Sequence, residues 1–248
     1  MSDDLAPMVR GGWELRLHQV VPPTVFPAYL FSNWAGLGPE VAGVPLSRAA
    51  YGAVSWALAD GPPNQMPSVV LDAVAQDTSI STRSSAAMLA AMVGDDTLAD
   101  ELLAMLADGD FEVQEPVLGV YFGSASLAEL RANVAALRAL RMGDGAAAAD
   151  AMSAVVHLPA YDPITRVILG DALMAAGDIE GALEQWDPMI DSVLRPTIRI
   201  RQGRGREALG DTARALEAYR GHLTMWRAGD PELATKREAA AALDRLGG

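Results

Sequence analysis

A pattern set out in residues 164–189 is set out again in residues 198–227, and nothing else in this 248-residue chain restricts its fold as strongly. Gly170 recurs as Gly203, Gly177-Asp178 as Gly210-Asp211, Ala182 as Ala215 and Trp186 as Tyr219, each pair 33 residues apart. The pattern reads as a short helix stopped by Gly, a second helix opened by Asp, a small residue facing the first helix and an aromatic one turn later that plugs the junction. A more degenerate copy comes before these two, since Gly143, Ala148 and Met152 lie 34 residues ahead of Gly177, Ala182 and Trp186. Gly109 lies a further 34 residues back, with little around it that matches. Such a period implies stacked units, each burying its apolar face against its neighbours.

Leu169-Gly170, Leu173, Gly177, Ala182 and Trp186, at this period and in helix-turn-helix form, resemble the tetratricopeptide repeat. The second copy keeps Gly203, Gly210, Ala215 and Tyr219 but has Gln202 and Arg206 in place of Leu169 and Leu173. The resemblance covers roughly residues 127–248 and does not extend to residues 1–125. It implies a right-handed stack of helical hairpins whose first helices line a concave groove that binds peptides or other proteins. On that mapping the inward-facing residues are Asn133, Leu137 and Arg141, then Val167, Asp171 and Met174, then Ile200, Arg204 and Glu207. They are expected to line one continuous concave surface. A shared fold of this kind does not select a function.

Residues 1–45 carry six prolines and form an arm in which helices would be broken soon after they start. Trp13-Glu14-Leu15-Arg16-Leu17-His18 alternates apolar and polar, the period of a strand with one buried face. Phe26, Tyr29, Phe31 and Trp34 follow in a stretch too aromatic for a solvated linker. A strand needs partners for its backbone, and helices offer none along their sides. Trp13, Leu15, Leu17, Phe26, Tyr29, Phe31 and Trp34 are therefore expected to contact a partner, for example a subunit presenting a sheet edge, or else to strap the chain's own helices. From Leu46 the pattern is helical, with helices expected at 46–60, 67–76, 80–93 and 97–107, a helix within 112–122, then 127–142 and a last one opened by Asp230-Pro231 and running to Leu246. The fold class is an all-α, helical-hairpin solenoid on a Pro- and aromatic-rich arm, divided into 1–45, 46–125 and 126–248.

No familiar catalytic or ligand motif stands out. His18, His157 and His222 lack neighbours at metal-ligand spacing, so no metal is expected. Gly203-Arg204-Gly205-Arg206 is followed by no Lys-Ser/Thr and is not a phosphate loop. Asp95-Asp96 and Asp100-Glu101 follow Gly94, where acids suit a helix start. No cofactor and no small-molecule substrate are expected. A net charge of −13 argues against nucleic acid and anionic membrane surfaces. With no cysteine, no basic and apolar leader at the start and no uninterrupted run of ~18 apolar residues, the expectation is a cytoplasmic chain, soluble or peripheral to the cytoplasmic face of a membrane complex. The near-absence of Lys beside 18 Arg and abundant Ala matches a GC-rich bacterial genome.

Charge is distributed unevenly. Residues 142–193 hold nine acids and one base, Arg166, whereas residues 194–248 hold eleven bases and seven acids. One reading pairs opposite charges across neighbouring repeats, and the other makes Arg199, Arg201 and Arg204, with Arg195 and Arg206, a positive surface for an acidic partner. Trp56, Trp186 and Trp226 fall on helical patterns and are expected in the core. The leading functional expectation is a non-catalytic scaffold or adaptor that binds proteins through a concave groove and its arm. The second is a permanent extrinsic subunit of a larger assembly, for instance a membrane-embedded bioenergetic complex. The third, an enzyme of unassigned type, needs a pocket with clustered ionisable groups.

Overall fold

A computed structural model describes residues 50, 53–55, 57–59, 61, 64–111, 126–153, 155, 163–191, 195–226 and 233–247. Its helices are α1 (Ser68–Gln76), α2 (Ile80–Val93), α3 (Asp96–Ala104), α4 (Asp108–Phe111), α5 (Leu127–Arg141), α6 (Gly145–Ser153), α7 (Pro163–Ala175), α8 (Ile179–Trp186), α9 (Arg195–Ala208), α10 (Thr212–Met225) and α11 (Ala234–Leu246). A 3-10 turn, Asp187–Asp191, follows α8. Residues 50, 53–55 and 57–59 are also helical. The fold is all-α, with no strand among the described residues. The whole arm lies outside them, as do the helix expected within 112–122, the side chain of Trp56, and His18 and His157.

Four hairpins, α2–α3, α5–α6, α7–α8 and α9–α10, share one turn chemistry. Gly94, Gly143, Gly177 and Gly210 have φ of 90°, 76°, 89° and 74°, the left-handed region where a Cβ is costly. This bend lets the next N–H reach back to a helix carbonyl left without an intrahelical donor. Asp95 N donates to Ala90 O, Asp144 N to Ala139 O, Asp178 N to Leu173 O and Asp211 N to Arg206 O, all at 2.9 Å. Each Asp side chain then accepts from the third residue onward, at Leu98, Ala147, Gly181 and Arg214.

The four turns also align the packing. Seven residues before each Gly stand Ala87, Ala136, Gly170 and Gly203, and five after it stand Ala99, Ala148, Ala182 and Ala215, every one of these alanines fully buried. Nine after it come Leu103, Met152, Trp186 and Tyr219. Size varies together at these positions: Ala stands at the first where Leu103 or Met152 stands at the last, and Gly where it is Trp186 or Tyr219. A Cβ on Gly170 would collide with the Trp186 indole, and one on Gly203 would come within 2.5 Å of the Tyr219 ring. Burying the Trp186 side chain, 1% exposed, contributes roughly 3 kcal/mol.

The same turn therefore occurs a fourth time at Gly94, and not at Gly109, which the 34-residue spacing points to and which lies within α4. Gly94 lies 49 residues before Gly143 because the stretch between α3 and α5 interrupts the period. The last helix begins at Ala234 rather than at Asp230-Pro231. Leu233, 2% exposed, is anchored in an extended conformation in an apolar cluster with Trp226 and Ala59, and the helix starts only after that anchor.

Successive hairpins stack, with α5 packed on both α2 and α7, α8 on α9, and α10 on α11. One apolar cluster runs from Ala50 to Ile198, crossing the boundary expected at 125/126, and a second joins Ile200, Ala215 and Tyr219 to Ala239 and Ala242 of α11. Ion pairs brace the stack. Arg138 Nε donates to Asp96 Oδ1 (2.9 Å) and its Nη2 to Asp100 Oδ1 (2.7 Å), while Arg141 Nη2 donates to Asp96 Oδ2 (2.8 Å). The bond from Arg141 is the main reason that the Asp96 carboxyl is held below its ordinary 3.8. The bond from Arg245 likewise holds Glu207 below 4.5. Both groups bind protons more weakly folded than unfolded, so their stabilisation is present above those ordinary values and is lost as pH falls through the lowered ones. Acid titration followed by far-UV circular dichroism should show a shallower loss of stability below pH 4.5 in an Asp96→Asn, Glu207→Gln variant than in the parent. Identical profiles would remove both carboxylates from the acid response.

Candidate functional site

The C-terminal ends of the first helices open onto a cleft of about 490 Å³. Its apolar wall comes from Met92 of α2 and Leu137 and Leu140 of α5. Its charged wall comes from Arg141, Asp171 of α7, Arg201 and Arg204 of α9, and Glu238 of α11. Residues 57–59 and Gly61 close one side.

The charges are fixed by one another. Arg201, 4% exposed, is bidentate to Asp171, with Nε to Oδ1 at 2.6 Å and Nη2 to Oδ2 at 2.7 Å. Its remaining nitrogen, Nη1, donates to Leu58 O at 2.9 Å and to Thr197 O at 3.0 Å. One guanidinium thus joins α7, α9 and the helical residues before Gly61, which a Lys with three donors on a flexible stem could not match. Arg204 is bidentate to Glu238 at 2.6 and 2.5 Å, and the hydrogen bond raises its guanidinium above the ordinary value despite partial burial. Behind the cleft, Arg206 and Gln202 both hold Asp187, and the Tyr219 hydroxyl donates to Glu207 at 2.8 Å. Burial, and then that bond, push the Tyr219 phenol above its usual range.

Of the nine residues expected to face a groove, Leu137, Arg141, Asp171 and Arg204 line the cleft. The other five do not line it. Asn133, Val167 and Ile200 are fully buried, and the Asn133 amide donates to Thr165 Oγ1 at 2.7 Å. Met174 is half-buried and packs against the main apolar cluster, and Glu207 serves Tyr219 and Arg245. Among the described first-helix residues, those nearer the Gly-Asp turns are the ones that line the cleft.

Of the arginines expected either to pair internally or to form a basic surface, those described have internal partners or half-buried positions. Arg201 and Arg204 are held in internal pairs, and Arg199 is half-buried with its guanidinium against Gly221 of α10. The pairing expected across neighbouring repeats is what Arg201–Asp171 and Arg206–Asp187 form. Trp186 and Trp226 are buried as expected. The expected partner-contact residues Trp13, Leu15, Leu17, Phe26, Tyr29, Phe31 and Trp34 lie outside the described residues.

Leu58, Gly61 and Glu238 belong to the site and were not anticipated in it. Ala57-Leu58-Ala59 reads in sequence as a buried helix, with no signal that its carbonyl meets an Arg 143 residues away. Glu238 carries a faint one, an acid on the helix after a run of arginines. Among the described residues no three His, Cys, Asp or Glu side chains are grouped to hold a metal ion, and no helix is long and apolar enough to cross a membrane. No family model matches the chain, and no curated protein or solved structure matches it.

Proposed function

We propose that this chain is a non-catalytic interaction protein, a tetratricopeptide-type scaffold or adaptor that holds another protein at the open end of its inner face and through residues 1–45. The cleft carries this reading. Its floor is apolar, and its ionisable groups, Arg141, Asp171, Arg201, Arg204 and Glu238, are tied in ion pairs rather than set as a nucleophile beside a base. Such a surface suits a peptide segment that buries apolar side chains between fixed charges. The recurring Gly-Asp turns and the small-against-large junctions support the repeat family.

Capture of partners from source cells by the full chain, compared with a Leu140→Glu variant, tests the reading. Leu140 is half-buried at the cleft, so the variant should retain its helicity and melting temperature while binding the captured protein at least about tenfold more weakly. Unchanged binding would remove the cleft from the interface.

The aromatic composition of residues 1–45 favours a second reading, a permanent extrinsic subunit of a larger assembly at the cytoplasmic face of a membrane complex. Deleting residues 1–45 should then abolish assembly and leave helical content and cooperative unfolding intact. Loss of the fold in that truncation would make the arm an internal strap.

A further inference from the structure

The residue before each turn glycine is apolar in all four hairpins: Val93, Met142, Ala176 and Leu209. Among the described residues four large apolar side chains are exposed, and two of them, Met142 (71%) and Leu209 (44%), stand at this one position. Turn chemistry does not call for them there, since the negative end of a helix dipole favours Lys or Arg at the last residues. We propose that this row, on the edge of the stack formed by the Gly-Asp turns, is a docking surface for a basic amphipathic helix of a partner protein. It lies on the turns rather than in the cleft, and it does not depend on the reading above.

Equivalent residues of stacked repeats fall in a line. Because α5 packs on both α2 and α7, Val93, Met142 and Ala176 follow one another at the helix-to-helix spacing, about 10 Å. Two turns of an α-helix rise by about the same distance, so apolar residues seven apart on a partner helix keep step with the row. A helix also suits the backbone chemistry of the edge. At every turn the N–H groups of the Gly and the Asp are already bonded to carbonyls of the first helix, so neither donor is left for an extended segment. A helix satisfies its own backbone and needs none.

Charge decides what kind of helix fits. Within three positions of the four turn glycines stand seven acids and one base, Arg141, which is already bonded to Asp96. Each turn Asp caps the second helix of its hairpin through Oδ1. Asp95, Asp144 and Asp178 are exposed, and their Oδ2 atoms have no partner among the described residues. Lysines or arginines beside the apolar stripe of a partner helix meet these carboxylates, a match that steers encounter and excludes acidic partners. A second copy of this chain does not fit, because its acidic row would face the same acids. Residues 1–45 do not fit either, since they hold four acids against two arginines.

Fluorescence anisotropy with the full chain and a labelled Leu/Lys peptide tests the surface. The peptide has about 18 residues, about 27 Å as a helix, with its Leu side chains in one stripe. It should bind with 1:1 stoichiometry, and the same peptide with Glu in place of Lys at least about tenfold more weakly. Replacing Met142 and Leu209 by Ser should weaken binding at least about tenfold, whereas the same change at the other two exposed apolar residues, Leu71 and Met105, should alter it less than about twofold. An independent arm removes charge instead. Asp144→Asn with Asp178→Asn keeps both caps, because Asn caps as well as Asp, and should weaken binding at least about tenfold and flatten its salt dependence. The control pair Asp150→Asn, Glu184→Gln removes equal charge from exposed positions away from the turns and should change binding less than about twofold. Equal losses in the test and control pairs overturn the proposal, because the peptide then responds only to the net charge of −13. Absence of binding to the parent chain overturns it as well. No native partner enters the experiment, so its failure leaves the cleft reading standing, and failed capture at the cleft leaves this surface standing.

Discussion

Gly170→Ala should destabilise the protein by about 2 kcal/mol, although alanine is the better helix former by roughly 1 kcal/mol. The added Cβ meets the Trp186 indole, which is 1% exposed and has no room to yield. Trp186→Met alone should cost about 3 kcal/mol by leaving a cavity. The double variant recreates the Ala136 and Met152 pair found one repeat earlier, and should fall short of the summed costs by at least about 1 kcal/mol. Urea denaturation of the four proteins measures this coupling. Additive costs would show that the junctions are not interchangeable, and that small-against-large pairing is not what holds the hairpins together.

Arg201→Met should be the more damaging change at the cleft, at about 3–5 kcal/mol, or a fall of roughly 10 °C in melting temperature. It removes four hydrogen bonds at once and leaves the Asp171 carboxylate, 23% exposed, without its bidentate partner. A companion Asp171→Leu change removes the stranded charge and should restore a good part of the loss, since a buried pair replaced by apolar groups is often neutral. Calorimetry of the single and double variants decides it. A single variant within about 1 kcal/mol of the parent would mean that the pair does not brace the fold. Replacing Arg199, Arg201 and Arg204 together by Gln should for the same reason act mainly on stability, because two of the three are tied to Asp171 and Glu238.

Much of the repeat could be read from residues alone because its determinants are local. A Gly that permits φ near 80°, an Asp that caps the helix after it and a small residue one turn from an aromatic act within ten or so positions, so they leave a visible pattern in the chain. That is why Gly143, Gly177 and Gly210 were found, along with the burial of Ala148, Met152, Trp186 and Tyr219. Gly94 carries the same turn but stands outside the 33–34-residue period, which the residues between α3 and α5 break. The physics of that turn was legible, as Gly94 ends its helix and Asp95 caps the next.

The cleft was less legible. Leu137, Arg141, Asp171 and Arg204 came from the groove that the tetratricopeptide resemblance implies, but burial of Asn133, Val167 and Ile200 depends on how closely each hairpin seats on its neighbour. The sequence by itself determined the hairpin unit and the Gly-Asp turns that end one helix and cap the next, because propensity, capping and glycine stereochemistry act over a few residues. Only the tertiary structure decided that residues 57–59 and Gly61 close one side of the cleft, and that a guanidinium 143 positions away donates to the carbonyl of Leu58. Contacts of that kind are set by shape and by competition among many arginines and carboxylates for the same partners, and no local pattern selects the winner.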